Sequence, residues 1–227
     1  MNLIAIEAST ETLSLAVCQR GQLCELEMAG GPHASASLLP SLQKLMAEMQ
    51  LSWAQLDAVV WGRGPGSFTG LRTACAVAQG IGFAHDLPLL GIDSLAACAQ
   101  QASTMVNHPG PWVVALDARM GEVYVGKYAH GQWRSKSMGQ YELQKPEDVA
   151  VGAEEWLCGN GHVSYSDLRC SEVQTVHALP TGKAMIQLAP ALLELGEGTS
   201  ADMALPLYIR DKVALTTQER ALKKQLC

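Results

Sequence analysis

Two periods alternate among the apolar residues of this 227-residue chain. "LIAIEA" (3–8) is a short apolar run, and in the following "TLSLAVCQRGQLCELEM" Leu13, Leu15 and Val17 share a face until Arg20-Gly21 interrupts. Period-two alternation around a Gly-bearing turn predicts a hairpin after a more buried strand. From about Ser35 to Met49 the period lengthens: Leu38, Leu42, Leu45 and Met49 form one stripe, widened by Leu39 and Met46, which predicts a helix. Pro40 suits that helix if it starts near Ser37, because first-turn N–H groups lack an intrahelical partner anyway. "LDAVVWG" reads as a buried strand and leads into the glycine-rich "WGRGPGSFTGLR" (61–72). A helix from Thr69 to about His85 follows, with Leu71, Cys75, Ala78 and Gly82 on its inner face. "LPLLGI" is another strand, and Asp93 caps a helix running to about Met105. Three strands, then helix, strand, helix, strand, helix, predict an α/β architecture with helices on a central sheet.

"NHPGP" (107–111) is the best boundary in the chain and divides it into lobes 1–106 and 111–227. The pattern then restarts. At a fixed offset of 110 residues, "LIAIEASTETLSLAVCQRGQL" (3–23) lies over "VVALDARMGEVYVGKYAHGQW" (113–133). Ala5 meets Ala115, Ala8 meets Ala118, Gly21-Gln22 meets Gly131-Gln132, and Glu7 meets Asp117. Leu13 and Leu15 meet Val123 and Val125. This is a duplicated unit of strand, acidic turn and hairpin. The second half is less regular: "EEWLCGNG" and "VQTVHAL" read as strands, and "KAMIQLAPALLELG" as a helix with a possible break at Pro190. It has room for a smaller, incomplete copy.

The formal net charge of -6 argues against direct binding to a phosphate backbone, which needs clustered Lys and Arg. A basic bias exists only near the C-terminus, at Arg210, Lys212, Arg220, Lys223 and Lys224, where a solvated tail and an RNA-contacting tail are the two readings. Seven cysteines are scattered without a C-x-x-C pair, which excludes a zinc ribbon or thioredoxin-like site and suggests a reducing compartment. The start "MNLIAIEAST" lacks a basic n-region, and no segment reaches about 18 uninterrupted apolar residues. The expectation is a cytoplasmic protein without membrane attachment.

The glycine loop lacks the Lys of a Walker A motif and the G-x-S-x-G of a nucleophile elbow. Gly64, Gly66 and Gly70 approach a dinucleotide fingerprint, with Asp93 as the ribose-binding acid, but Pro65 removes a backbone donor where pyrophosphate needs one. The structural reading is a Gly64-Pro65-Gly66 turn with Ser67 or Thr69 capping the next helix. The two acidic turns are candidates for a two-lobed phosphate cleft in degraded form. "EASTE" offers Glu7, Ser9 and Thr10 without glycine; "DARMGE" offers Asp117, Arg119 and Gly121 without a hydroxyl. The six histidines form no H-x-x-x-H or H-E-x-x-H pair, so no metal site is expected.

"GRGPGSFTGLR" (62–72), "LIAIEASTE" (3–11), "ALDARMGEVY" (115–124) and "PLYIRDKVA" (206–214) together resemble the TsaB (formerly YeaZ) family, along nearly the whole chain. That family consists of bacterial factors for the threonylcarbamoyl-adenosine modification at tRNA position 37. The resemblance implies an actin/hexokinase/Hsp70-like fold of two ribonuclease-H-like lobes, the second smaller. It also implies a non-catalytic scaffold with no cofactor of its own. The paralogue TsaD binds ATP and a metal through an H-x-x-x-H motif and performs the transfer; the ATPase TsaE joins the assembly. TsaB-like proteins pair with TsaD through N-lobe helices, form homodimers through the same surface when alone, and meet tRNA only through the complex. One departure is Glu7, followed by Ala8, where the relatives lead one to expect Asp; this weakens any case for ATP hydrolysis.

Within helix 69–85, Arg72, Ala76, Gln79 and Phe83 make a second face of mixed character that suits a protein interface. The alternative is that Phe83 packs into the chain's own core. Under the interface reading the loop Gly64, Pro65, Gly66, Ser67, Thr69 and Gly70 shapes the start of the docking helix. The competing function is an ATP-dependent small-molecule kinase of the same fold, which would lose nucleotide affinity on mutation of Asp117. A peptidase lacks a visible nucleophile–base pair.

Overall fold

The computed structural model describes residues 1–31, 34–108, 110–128, 141–168 and 173–210. β1 (Asn2–Glu7), β2 (Thr12–Gln19) and β3 (Gln22–Ala29) form an antiparallel meander. After α1 (Ala34–Glu48), β4 (Ala58–Gly64) pairs parallel to β1; α2 (Phe68–His85) leads to β5 (Leu89–Asp93), parallel to β4, and α3 (Ser94–Val106) follows. The second half repeats the plan with β6 (Trp112–Arg119), β7 (Glu122–Tyr128), β8 (Glu142–Gln144), β9 (Trp156–Gly159) and β10 (Thr175–His177). The helices α4 (Gly161–Ser164) and α5 (Gly182–Glu194) complete it. The strand orders, β3-β2-β1-β4-β5 and β8-β7-β6-β9-β10, are the same. The expected incomplete copy therefore has its full set of strands; the reduction is in helices, four-residue α4 standing where the first half has eighteen-residue α2.

The duplicated hairpins differ from the gapless alignment in one respect. Ile6 pairs with Leu15, whereas Ala115 pairs with Val125. The second strands are thus offset by 110 residues but the first strands by 109, and a bulge between Asp117 and Arg119 absorbs the extra residue. A one-residue slip moves a side chain to the opposite face of a strand. Glu7 consequently corresponds in space to Leu116, and the two acidic residues that match in sequence do not match in position.

Among the described residues three clusters of buried side chains hold these layers. Ile4, Ile6, Leu13, Leu15 and Val17 meet Leu38, Leu42, Ala74 and Ala78 of α1 and α2 on the outer face of the first sheet. Val113, Ala115, Val123 and Val125 form a smaller outer core with Val149 and Leu168. The largest cluster lies between the sheets, where α3 and α5 pack together. α5, from the second half, crosses all five strands of the first sheet; α3, from the first half, packs on β6, β7 and β9 as well as on β4 and β5. The alanines of α3 (Ala96, Ala97, Ala99 and Ala102) let it lie close to both neighbours.

Two proline expectations are corrected. α1 begins at Ala34, so Pro40 lies beyond the first turn and forfeits the bond to the Ala36 carbonyl; both residues are exposed, where water reaches that carbonyl. α5 runs unbroken through Pro190, because Met185, Leu188, Ala189 and Leu192 are buried on either side of it. Among the described residues no helix is long and apolar enough to cross a membrane.

Candidate functional site

The β1–β2 turn, the β6–β7 turn and the residues before α2 and α4 converge on a cleft of about 500 Å³. Ser9, Thr10, Glu11, Asp117, Arg119 and Asn160 line it, with Leu207–Arg210 along one side. Glu7 does not face this space. Its side chain is fully buried; Oε1 accepts from the Ser9 N–H (2.6 Å) and Oε2 from Ser94 Oγ (3.3 Å). Gly62 leaves the room it occupies, since a Cβ there would sit 2.0 Å from Oε2. Burial pushes the Glu7 carboxyl up from its ordinary value, against the hydrogen bonds from Ser9, Ser94 and the Ala8 backbone. The expectation that Glu7 belongs to a phosphate-facing turn is therefore corrected.

Several other groups of the two turns are engaged within their own turn or by neighbouring loops, while buried Ser9 Oγ has no hydrogen-bond partner among the described residues. The Ser9 carbonyl accepts from the Ser67 N–H (2.7 Å), and the Glu11 carbonyl from the Gly30 N–H (2.7 Å). Thr10 Oγ1 accepts from the Thr12 N–H (3.3 Å). In the second turn the Asp117 carboxylate accepts from the Arg119 N–H (2.7 Å), the Arg119 guanidinium (2.9 Å) and Tyr165 Oη (2.8 Å). Its own N–H donates to Asn160 Oδ1 (2.8 Å), while Asn160 Nδ2 reaches the Glu11 carboxylate (3.3 and 3.4 Å). Asn160 thus joins the two turns. Gly121 lies at the hairpin tip, with Arg119 and Met120 also at positive φ. His162 and His177 come together, rings 6.2 Å apart, but among the described residues no group of His, Cys, Asp or Glu could hold a metal ion.

The glycine loop is a spacer. A Cβ at Gly70 would lie 1.8 Å from the Ala8 carbonyl oxygen, and one at Gly66 would lie 2.4 Å from that of Ser9. The missing side chains let the start of α2 rest directly on the β1–β2 turn. Gly64-Pro65 is a cis peptide, and Ser67, not Thr69, is the N-cap, its side chain accepting from the Gly70 N–H (3.4 Å). Asp93 precedes α3 without a capping bond; its carboxylate takes Arg63 Nε instead (2.6 Å).

Along α2, Arg72, Ala76 and Phe83 are exposed, whereas Gln79 is half-buried. Phe83 is 87% exposed, which excludes its packing in the chain's own core. Arg72 lies 3.7 Å over the Phe68 ring and donates from Nε to Tyr208 Oη (3.1 Å). Gln79 Nε2 donates to the Ala204 carbonyl (2.9 Å). Beside this ridge an apolar groove of about 310 Å³ runs between α1 and α2, lined by Leu39, Trp53, Val77, Ile81 and His85. Sequence reasoning missed Glu11, Asn160, Tyr208 and Arg210. "CGNG" is the counterpart of the glycine loop and was the available signal for Asn160. Arg210 is no tail residue but pairs with Glu122; Lys212, Arg220, Lys223 and Lys224 lie outside the described residues.

The family model for TsaD, tRNA N6-adenosine threonylcarbamoyltransferase, matches residues 27–226. The tRNA threonylcarbamoyladenosine biosynthesis protein TsaB of Haemophilus influenzae is 33% identical over 231 residues, spanning 94% of this chain and 95% of its own. The TsaB of Escherichia coli is 31% identical, with 94% and 96% covered. The solved structure of YeaZ from Pseudomonas aeruginosa superposes with a TM-score of 0.82 at 32% identity, covering 92% of this chain and 99% of that one.

Proposed function

This chain belongs to the TsaB (YeaZ) family, and on that premise we propose that it is a non-catalytic scaffold for threonylcarbamoyl transfer to adenosine 37 of tRNAs reading codons that begin with A. In this reading it acts in the cytoplasm with TsaD and TsaE, pairs with itself when alone, and meets tRNA only through the complex. ATP and metal belong to the partner. The observation that supports it best is that the Ser9 N–H is spent on buried Glu7, the Asp117 N–H on Asn160 and the Arg119 N–H on the Asp117 carboxylate. A phosphate would have to displace those bonds, whereas a working phosphate turn presents free N–H groups.

The α2 ridge supplies the docking surface. Phe83 stands clear of the core, small Ala76 and Gly80 allow close approach, and the apolar groove adjoins them. An aromatic anchor amid small residues is how hot spots are built. The cleft's volume favours the competing phosphotransferase reading, and one experiment separates the two. Calorimetric titration with purified TsaD is expected to show binding that Phe83→Ala weakens at least about tenfold, while ATP–magnesium gives no heat. Micromolar ATP binding without a TsaD interaction would sink the scaffold and leave the phosphotransferase.

A further inference from the structure

Residues 204–210 cross the molecule without regular secondary structure, from α2 to the β6–β7 turn. At the near end the Ala204 carbonyl accepts from both Gln79 Nε2 (2.9 Å) and Cys75 Sγ (3.4 Å). In the middle the Leu207 N–H donates to the Arg63 carbonyl (2.7 Å), and the Tyr208 ring lies 5.0 Å from that of Phe68 while its hydroxyl takes Arg72. Ile209 packs on the core between the sheets. At the far end the Arg210 guanidinium pairs with the Glu122 carboxylate and donates to the Arg119 carbonyl (3.3 Å). The near and middle contacts belong to the first lobe, Ile209 packs between the two, and the Arg210 contacts belong to the second. Leu207–Arg210 also wall the cleft.

We propose that this strap is a clasp: it holds the two lobes at one opening, and it carries docking on α2 to the β6–β7 turn. The second part rests on the docking reading above; the first does not. Between Tyr208 and Arg210 the chain can span at most about 7 Å, so it has little slack to absorb a shift at either end. The α2 end is placed to receive one. Tyr208 is 43% exposed beside Arg72, and Met203 and Leu205, at 65% and 71%, flank the Gln79 anchor. A partner that covers Arg72 and Phe83 therefore also covers the strap. The other end is placed to pass the shift on, because Arg119, whose carbonyl holds Arg210, also holds Asp117 in the cleft. Arg210 is well shielded, its side chain 14% exposed, which favours the Glu122 pair over a fully solvated one.

Hydrogen exchange followed by mass spectrometry on the full chain tests both parts. In the free protein Glu122→Gln is expected to speed exchange of peptides covering 205–210 and 118–122 by about tenfold, as a local opening. Lys127→Gln, which removes the Lys127–Glu155 pair at the other end of the same hairpin, is the control and is expected to leave 205–210 unchanged. Unchanged exchange in Glu122→Gln, or an equal rise in both variants, overturns the clasp. Adding purified TsaD to the wild type is expected to slow exchange in 204–208 and also in 118–122; in Glu122→Gln only the first effect persists. Slowing confined to 204–208 in the wild type overturns the transmission. Absence of TsaD binding altogether overturns the docking reading and the transmission with it, while the free-protein comparison still decides the clasp.

Discussion

At the end of β1 the Glu7 carboxyl holds its proton to higher pH in the folded chain than in the unfolded one, because burial penalises the carboxylate more than its hydrogen bonds favour it. A raised folded pKa stabilises the protein below the ordinary carboxylate range, and that stabilisation is lost as pH rises through the folded value. Glu7→Gln cannot ionise and keeps an acceptor for the Ser9 N–H. Its stability relative to the wild type, measured by urea denaturation, is expected to improve between pH 5 and pH 8. A constant difference across that range would mean that Glu7 ionises as freely in the fold as outside it. Asp93, also raised by burial though opposed by Arg63, leaves a residual slope in both proteins. At Gly70 the effect is steric. An added methyl meets the Ala8 backbone, which has no side-chain rotamer to yield, so Gly70→Ala is expected to cost about 3 kcal/mol or more by the same denaturation measurement.

Among the elements, α2 gives the converse case. Gly80 is exposed within the helix, and nothing lies within 4 Å of a Cβ placed there. Gly80→Ala is expected to raise stability by about 0.5–1 kcal/mol, since alanine loses less backbone entropy in a helix, and to weaken TsaD docking by narrowing the approach to the ridge. Raised stability with undiminished docking would remove Gly80 from the interface. The stripes of α1 and α2 and the β1–β3 meander were legible in the sequence because periodic burial writes periodic residues. The glycine loop was legible as a turn, and its cause, contact with Ala8 and Ser9, was not, because those residues are some sixty positions away. The bulge at Ala118 was hidden for a different reason: the second strands align at the same offset as the identities, and only the pairing partners reveal the slip. Arg210 read as part of a basic tail since its partner, Glu122, lies 88 residues earlier.

For the whole molecule, the inter-sheet cluster decides whether the two halves are separable. Leu3, Ala5, Ala16, Val60 and Leu90 of the first sheet are covered by Met185, Leu188, Ala189 and Leu192 of α5. A fragment ending at residue 106 would expose that face, and it is expected to show no cooperative thermal transition by calorimetry, whereas the full chain melts in one step. A sharp transition in the fragment would show that the first lobe needs no cover. The crossing of α3 and α5 has a further consequence, for descent. A single ancestral half with this strand order would have left one side of its sheet bare, and the helix able to cover it would have come from a second copy. Descent from two such copies accounts for each half lending its last helix to the other's sheet, α5 to the first and α3 to the second.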